Sequence, residues 1–228
     1  MLLRTNVFIV FFLLVLSAIA GCSGGDKGPV NNFHPYGIRH AAMHLEYFGL
    51  TRGTDDLFFD NFGEREAHIA HSEIITDKDF HPTITYSVRN LANVTVVDSV
   101  KMDAVRLIDK TYDSLYHLSP GDMPTYEEQF KGFFGNRGYV MRGDTTIRTP
   151  GVTLHAHVWQ QGEMPSYIYE FNGLVVGNYI NINGNTNELR LVSIDTVNAI
   201  DTARFVPPVG FPLRDMTKQS SNLSSQQP

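Results

Sequence analysis

Two histidines, His155 and His157, are spaced so that they could bind a metal ion together. They stand at positions i and i+2 of an alternating apolar and polar segment, so a β-strand would place both on one face. Neutral imidazole is the commonest metal ligand in proteins. A third ligand could come from another predicted strand, which carries His68, His71 and Glu73. The alternative, which the sequence favours, is a pair of solvated histidines, so no metal or other cofactor is predicted.

Five aromatic side chains could line a site for an apolar ligand: Tyr126, Phe130, Phe133, Phe134 and Trp159. The first four share one face of a helix that the spacing predicts over residues 126–134. Thr125, with Glu128 three residues later, is typical of a capping box at the start of such a helix. These aromatics could line a ligand channel as a lid or fill the core as a plug. The plug is the commoner role for an apolar helix face.

The sequence carries no motif of a well-known catalytic or nucleotide-binding site. It has no GxSxG, HExxH, P-loop or GxGxxG pattern. Serine, histidine and aspartate are so numerous that sequence position alone selects no catalytic triad. The sequence therefore predicts that the protein is not an enzyme.

The single cysteine, Cys22, directly follows a segment with the pattern of an export signal. Arg4 precedes an apolar run of about 14 residues, Val7 to Ala20, which is shorter than the roughly 20 residues of a membrane-spanning helix. The run ends in Ile-Ala-Gly-Cys, with Leu16 three residues before the isoleucine, which resembles the lipobox of bacterial lipoproteins. The resemblance implies cleavage before Cys22 and acylation of its thiol. Several acyl chains anchor a protein stably, whereas one binds only marginally.

Ser23 follows the cysteine, and in the enteric lipoproteins that the lipobox resembles this residue directs sorting to the outer membrane. We therefore expect a lipid-anchored protein of the bacterial cell envelope, at the outer membrane and facing the periplasm. One cysteine also excludes an internal disulfide and a cysteine-rich zinc site. The 18 basic and 24 acidic residues give a net charge of −6, which argues against binding of nucleic acid through a basic surface.

The chain divides into one domain between two tails. Residues 23–32 are small and polar with glycine and proline, as in a flexible tether, and the C-terminal stretch has too few apolar residues to fold. The predicted organisation is a lipoprotein signal peptide at 1–21, a tether at 22–33, a β-rich domain at 34–216 and a disordered tail at 217–228.

The domain shows mostly period-two alternation, with β-branched and aromatic residues between turn residues, which favours antiparallel β-structure. Asn172-Gly173 between apolar runs predicts a tight hairpin. The segments with strand-like patterns are residues 38–48, 56–62, 64–76, 83–89, 94–100, 104–110, 114–118, 152–159, 167–171, 174–182 and 189–197. We therefore predict a mainly β fold, a curved antiparallel sheet of about ten strands with one short helical plug. Such a sheet must close, stack or wrap to protect its edges.

Several runs carry a family resemblance: Tyr36-Gly37-Ile38-Arg39, the stretch 53–67 (GTDDLFFDNFGEREA), Trp159 with Tyr167–Tyr169, and the closing stretch 194–211. Over residues 36–215 in outline, the chain resembles a family of uncharacterised bacterial outer-membrane lipoproteins. That family is similar in architecture to the lipoprotein-carrier (Lol-type) half-barrel, a curved sheet around a helical plug. The resemblance implies a concave apolar face that could hold an apolar ligand or lipoprotein acyl chains.

Three functions are therefore carried forward from the sequence. The first is a lipid-anchored binding protein that holds an apolar ligand in its concave face. The second is a structural envelope lipoprotein that docks a protein partner. The third, less favoured, is a metal-binding module built on His155 and His157.

Overall fold

The computed structural model of the protein describes residues 33–75, 80–119 and 121–217. The predicted signal peptide, Cys22 and the tail beyond residue 217 lie outside these ranges, so lipid attachment stays a prediction. Within them, no helix has the length and the apolar character needed to cross a membrane.

One twelve-stranded sheet forms the body of the described domain. Its strands are β1 (Ala41–Gly49), β2 (Thr51–Asp60), β3 (Arg65–Ile75), β4 (Phe80–Asn90), β5 (Asn93–Asp98), β6 (Asp103–Ile108), β7 (Tyr139–Thr149), β8 (Val152–Gln161), β9 (Ser166–Phe171), β10 (Leu174–Ile182), β11 (Asn185–Asp195) and β12 (Leu213–Asp215). Their order across the sheet is β12-β6-β5-β4-β3-β2-β1-β11-β10-β9-β8-β7, so β12 and β7 are the edges. The prediction of a mainly β, curved and unclosed sheet is confirmed.

The pairing is antiparallel between all neighbours except β12 and β6, which run parallel. The sequence underestimated the strand number, because β7 and β12 were not recognised. β7 reads Arg-Gly-Asp-Thr-Thr over its centre, which is polar on both faces, and β12 has only three residues. Neither strand therefore carries the apolar alternation on which the prediction depends.

Among the described residues, two α-helices accompany the sheet, α1 (Lys110–Tyr116) and α2 (Tyr126–Gly135), where the sequence predicted one. The prediction of α2 is confirmed together with its capping box, since Thr125 and Glu128 each accept the other's backbone N–H. The strand predicted over 114–118 is wrong, because those residues lie in and just after α1. The Asp109 side chain accepts the amide protons of Thr111 and Tyr112 at 3.0 and 3.2 Å, and this cap starts a helix there.

The hairpin predicted at Asn172-Gly173 joins β9 to β10. Both residues have positive φ, 51° and 83°, as a two-residue turn of this kind requires. A Cβ on Gly173 would also lie 2.9 Å from the carbonyl oxygen of Pro35. Glycine therefore serves both the turn and the close approach of the amino-terminal segment.

The main apolar core packs side chains from five strands, β1, β2, β8, β10 and β11, against one another. β1 shows the underlying alternation, since its residues 41, 43, 45 and 47 are buried and the intervening ones are not. The buried members of this core are Ala41, Met43, Leu45, Tyr47, Leu57, Phe59, Leu154, Ala156, Leu174, Val176, Leu189, Leu191 and Ile194. We call the side of β1 and β2 that carries Met43 and Leu57 the core face.

The opposite side of β2 and β3 is crossed by the segment that follows β11. A short 3₁₀ turn, Thr202–Phe205, lies there and packs against β3 and β4. The guanidinium of Arg204 lies 4.7 Å from the centre of the Phe58 ring, and that of Arg65 lies 5.3 Å from the Phe205 ring. These cation–π contacts hold the segment against β2 and β3 before the chain continues to β12.

Candidate functional site

The structure brings together three of the five aromatic residues selected from the sequence. Phe130 and Phe134 of α2 pack against Trp159 of β8, with ring centres of Phe130 4.3 Å from Phe134 and 5.4 Å from Trp159. Tyr139 and Ile168 complete this cluster, which is separate from the main core. Burial of one face of α2 against β7, β8 and β9 therefore creates a second apolar centre, which we call the tryptophan cluster.

Tyr126 and Phe133 flank the tryptophan cluster rather than join it. Tyr126, at the start of α2, packs against Gly37 and lies with its hydroxyl 3.4 Å from the Asn172 side chain. Phe133 packs against Phe134, and its ring lies 3.5 Å from the guanidinium of Arg137. Tyr126 thus ties the helix to the amino-terminal segment, while Phe133 covers the outer end of the cluster.

Near the tryptophan cluster are three exposed apolar side chains, which we call the apolar edge: Met141 on the Trp159 face of β7, Val140 on the opposite face, and Met164 in the β8–β9 turn. Each of these side chains is about half exposed, at 51%, 46% and 51%. Met141 stands directly opposite Trp159 in the β7–β8 register. Because no strand among the described residues pairs with the other side of β7, the apolar edge borders an open sheet edge. Exposed apolar side chains at the edge of a sheet are candidates for a binding surface.

The core face of β1 and β2 offers no comparable opening. Met43 and Phe59 are 2% and 0% exposed, because side chains of the domain itself pack against them. Tyr36 and Ile38 of the amino-terminal segment add to the same core. The region that the family resemblance would assign to acyl chains is therefore filled on these strands.

A charged cluster, which sequence reasoning missed, extends the core face across β2, β3 and β4. Glu66 stands directly opposite Phe59 on one side and Arg89 on the other, and His68 stands opposite Leu57. Directly opposite residues of antiparallel strands share a face, so these charges lie on the same side as the apolar core. Asp55, opposite Leu45, completes the cluster.

Glu66 is the centre of this cluster. It accepts hydrogen bonds from Arg89 Nη2 at 2.6 Å, from His68 Nε2 at 3.1 Å and from the Tyr36 hydroxyl. The guanidinium of Arg89 also lies 4.1 Å from the centre of the Tyr112 ring. A buried carboxylate needs such partners, because its transfer from water is otherwise very costly.

The surroundings shift the pKa values so that the cluster stays charged. Burial alone would raise the pKa of Glu66, but the charge of Arg89 and hydrogen bonds from His68 and Tyr36 hold it below its usual range. Burial likewise opposes the charged form of His68, yet the carboxylates of Asp55 and Glu66 raise its pKa to about 10. Two carboxylates thus face two cations, and the cluster is electrically balanced.

The charged cluster also holds the segment that leads toward the amino terminus. Phe33 is fully buried, with its ring 5.8 Å from Tyr112 and 5.1 Å from Tyr116 of α1. Three residues later, Tyr36 donates its hydroxyl proton to Glu66. Arg89 therefore contacts both groups that hold this segment: Glu66, which binds Tyr36, and Tyr112, which packs against Phe33.

The two histidines at metal-ligand spacing lie on the solvated side of β8. His155 is exposed and stands opposite Thr146, while His157 stands opposite Asp144 and its Nδ1 lies 2.6 Å from that carboxylate. The possible third ligand His68 belongs to the charged cluster instead. In the described part of the chain, no three histidine, cysteine or acidic side chains form a group that could hold a metal ion.

Comparison with known proteins finds similarity in backbone shape alone. No family profile matches the sequence, and no curated protein matches it in sequence. An uncharacterized conserved protein from Thermus thermophilus aligns over 78% of this chain and 90% of its own, at 8% identity and a TM-score of 0.44. LprF from Mycobacterium bovis aligns over 74% of this chain and 90% of its own, at 10% identity and a TM-score of 0.34.

Proposed function

We propose that this protein is a lipoprotein of the bacterial cell envelope that binds an apolar ligand at the apolar edge beside Trp159. Its lipid anchor is the acylated thiol of Cys22, which places the domain at the outer membrane, facing the periplasm. The observation that carries the proposal is the exposure of Val140, Met141 and Met164 next to an aromatic cluster. Acyl chains, free or attached to another lipoprotein, match this apolar surface.

The filled core favours the apolar edge over the core face as the binding surface. A ligand on the core face of β1 and β2 would have to displace Met43, Phe59 and their neighbours from close packing. Replacing buried contacts of this kind costs several kcal/mol per large side chain, on the order of 2–5 kcal/mol. At the apolar edge, by contrast, a ligand covers surface that water already contacts, and its burial is favourable.

Trp159 supplies a direct test, because it is the single tryptophan of the chain. The mature chain, residues 22–228 with Cys22→Ser, would be titrated with palmitate while its tryptophan emission is recorded. We expect a saturable change in emission in the micromolar range. Met141→Ser should weaken the binding at least about tenfold, because it removes apolar contact opposite Trp159.

Met102→Ser is the matched control for this titration. Met102 is 59% exposed but lies in the turn between β5 and β6, outside the apolar edge and the tryptophan cluster. Its replacement should leave the titration unchanged. An emission that does not respond to palmitate, or equal weakening by both substitutions, would rule out ligand binding at the apolar edge.

The anchor is tested separately in cells that express the whole chain. Labelled palmitate should enter the protein, and Cys22→Ala should abolish both the label and membrane association. Retention of the label in Cys22→Ala would contradict lipidation at this residue. Because Cys22 lies outside the domain, the outcome of this labelling experiment is independent of the ligand titration.

A second candidate function, docking of a protein partner, is favoured by one observation. β7 has 11 residues, and within the described part of the chain no strand pairs with its outer side, so its backbone groups could pair with an extended segment of another protein. A photo-cross-linking residue at Val140 distinguishes the two functions. Cross-links to lipid support the first candidate, and a discrete protein adduct supports the second.

A further inference from the structure

Three side chains with complementary chemistry form a row across three neighbouring strands. Asp56 of β2 stands directly opposite His44 of β1, and His44 stands directly opposite Ser193 of β11. The row lies on the side opposite the core face, since Met43 and Leu57, the neighbours of His44 and Asp56, point into the core. The histidine is thus placed between a carboxylate and a hydroxyl.

His44 is held on the side of the carboxylate. Its Nδ1 lies 2.6 Å from Asp56 Oδ1, a distance typical of a strong hydrogen bond. A proton on Nδ1 leaves Nε2 as the basic nitrogen of the neutral ring. The acidic atom near Nε2 is Glu46 Oε1 at 3.9 Å, which is too far for a hydrogen bond. Nε2 is therefore available to accept a proton.

Ser193 stands beside this histidine and is open to the solvent. It is exposed, and its hydroxyl has no hydrogen-bond partner among the described residues. Cβ atoms of directly opposite residues lie about 4.5–5.5 Å apart, so the serine hydroxyl and the imidazole are neighbours on one face of the sheet. Hydrogen bonds of this kind are often long when no substrate is present.

The backbone beside the row is irregular. His44 pairs with Ser193 but Leu45 pairs with Leu191, so Val192 is an extra residue in β11. Such β-bulges redirect neighbouring side chains and occur next to active sites more often than elsewhere. A cavity of about 210 Å³ lies over the row, and Ala42 and Phe58 add apolar groups to its lining.

We propose that this row is a nucleophilic serine site that hydrolyses short-chain carboxylic esters. Ser193 is the nucleophile, His44 the general base and Asp56 the residue that orients the imidazole. The cavity is smaller than the roughly 300–1,000 Å³ typical of sites for larger ligands. A short acyl group therefore matches the volume of the site.

The reaction proceeds in two balanced steps. Ser193 Oγ forms a bond to the ester carbonyl carbon and passes its proton to His44 Nε2, and the ester C–O bond breaks as the departing alcohol takes that proton. Water then attacks the acyl-serine and gives a proton to Nε2. The acid leaves as the Ser193 hydroxyl is restored with that proton. No cofactor, oxidant or reductant is consumed.

An active-site-directed fluorophosphonate tests this site in membranes of cells that express the whole chain. Ser193 Oγ would bond to phosphorus, fluoride would leave, and the serine proton would pass to His44. We expect a labelled peptide that contains Ser193, no labelling of that peptide in Ser193→Ala, and about hundredfold slower labelling in His44→Gln, as loss of a general base predicts. Asp56→Asn should slow labelling as well.

Two matched variants serve as controls. His157 forms the same cross-strand pair with an aspartate but has Glu170 rather than a serine on its other side, so His157→Gln should label at the normal rate. Ser114, exposed on α1, should be replaceable by alanine without effect. A known serine hydrolase in the same membranes serves as the positive control. If that enzyme is labelled but Ser193 of the unaltered chain is not, the proposal is overturned. Labelling of His44→Gln at the normal rate also overturns it.

Discussion

Removal of the Arg89 charge should destabilise the domain more than any exposed charge replacement. Arg89→Met keeps a long apolar side chain but leaves Glu66, whose side chain is 12% exposed, without its strongest partner. Breaking a buried ion pair in this way costs about 3–5 kcal/mol. For a domain of this size each kcal/mol lowers the melting temperature by about 2–4 °C, so the expected decrease is about 6–20 °C.

Urea unfolding followed by Trp159 emission and by circular dichroism measures this change as a shift in midpoint. The matched control is Arg214→Met, since Arg214 pairs with Asp103 at the surface and its side chain is 66% exposed. Exposed pairs contribute about 0–1 kcal/mol, so the control should hardly move the midpoint. The double variant with Glu66→Gln should be more stable than Arg89→Met alone, because no unpaired charge then remains.

Two results would refute this reasoning. One is a loss below about 1 kcal/mol in Arg89→Met, which would mean that water reaches Glu66 and replaces its partner. The other is a double variant no more stable than the single one, which would assign the loss to packing against Tyr112 instead.

Three further predictions concern pH, one glycine and the amino-terminal segment. The pKa of Glu66 lies below its unfolded value of about 4.3, so the stability that Glu66 contributes is present above that pH and is lost on acidification. The pKa of His68 is raised to about 10, so the stability that His68 contributes is complete below about pH 6.5 and decreases toward pH 10. Urea midpoints should thus fall on both sides of about pH 5–6.5, and His68→Gln should flatten the alkaline side, whereas an unchanged alkaline slope would contradict the assignment. Gly53→Ala should destabilise the domain by about 1–3 kcal/mol more than Gly184→Ala in the same assay. Both glycines have positive φ, but only at Gly53 would a Cβ clash with the backbone of His71. Equal losses would show that backbone strain, not the clash, accounts for the destabilisation. Phe33→Ala should cost about 3–5 kcal/mol and expose the segment to proteolysis, and resistance equal to that of the unaltered chain would show that the segment is held by other contacts.

The sequence predicted those parts of the fold that are determined locally. The alternation of β10 over residues 174–182, the turn at Asn172-Gly173 and the capping box of α2 each depend on neighbouring residues, and all three were found as predicted. α1 was missed because Ser114 to Leu118 alternate like a strand, while the helix is started by a cap five residues earlier. The hydrogen bonds that the Asp109 carboxylate accepts from the Thr111 and Tyr112 amides outweigh the local alternation there.

The candidate sites depend on strand register, which sequence alone does not provide. Glu66 and Arg89 are 23 residues apart, and the prediction could not know that β3 and β4 place them opposite each other. The same holds for His44 and Ser193, which meet only because β1 pairs with β11. The aromatic residues of α2 were identified correctly as one face, but their partner Trp159 became certain only from the packing.

The pairing of β1 with β11 has a consequence for how the chain folds as it is synthesised. Ala42 and Asp195 are direct partners, so the centre of the sheet closes only after nearly the whole domain has been delivered. Strands β1 to β6 can assemble earlier as a meander of neighbours, but one side of β1 then stays unpaired. An unpaired strand edge is a site for aggregation, and contacts of such long sequence separation form slowly. We therefore expect folding of this domain to depend on holdase chaperones until β11 arrives, and truncation before residue 185 to leave a chain that aggregates.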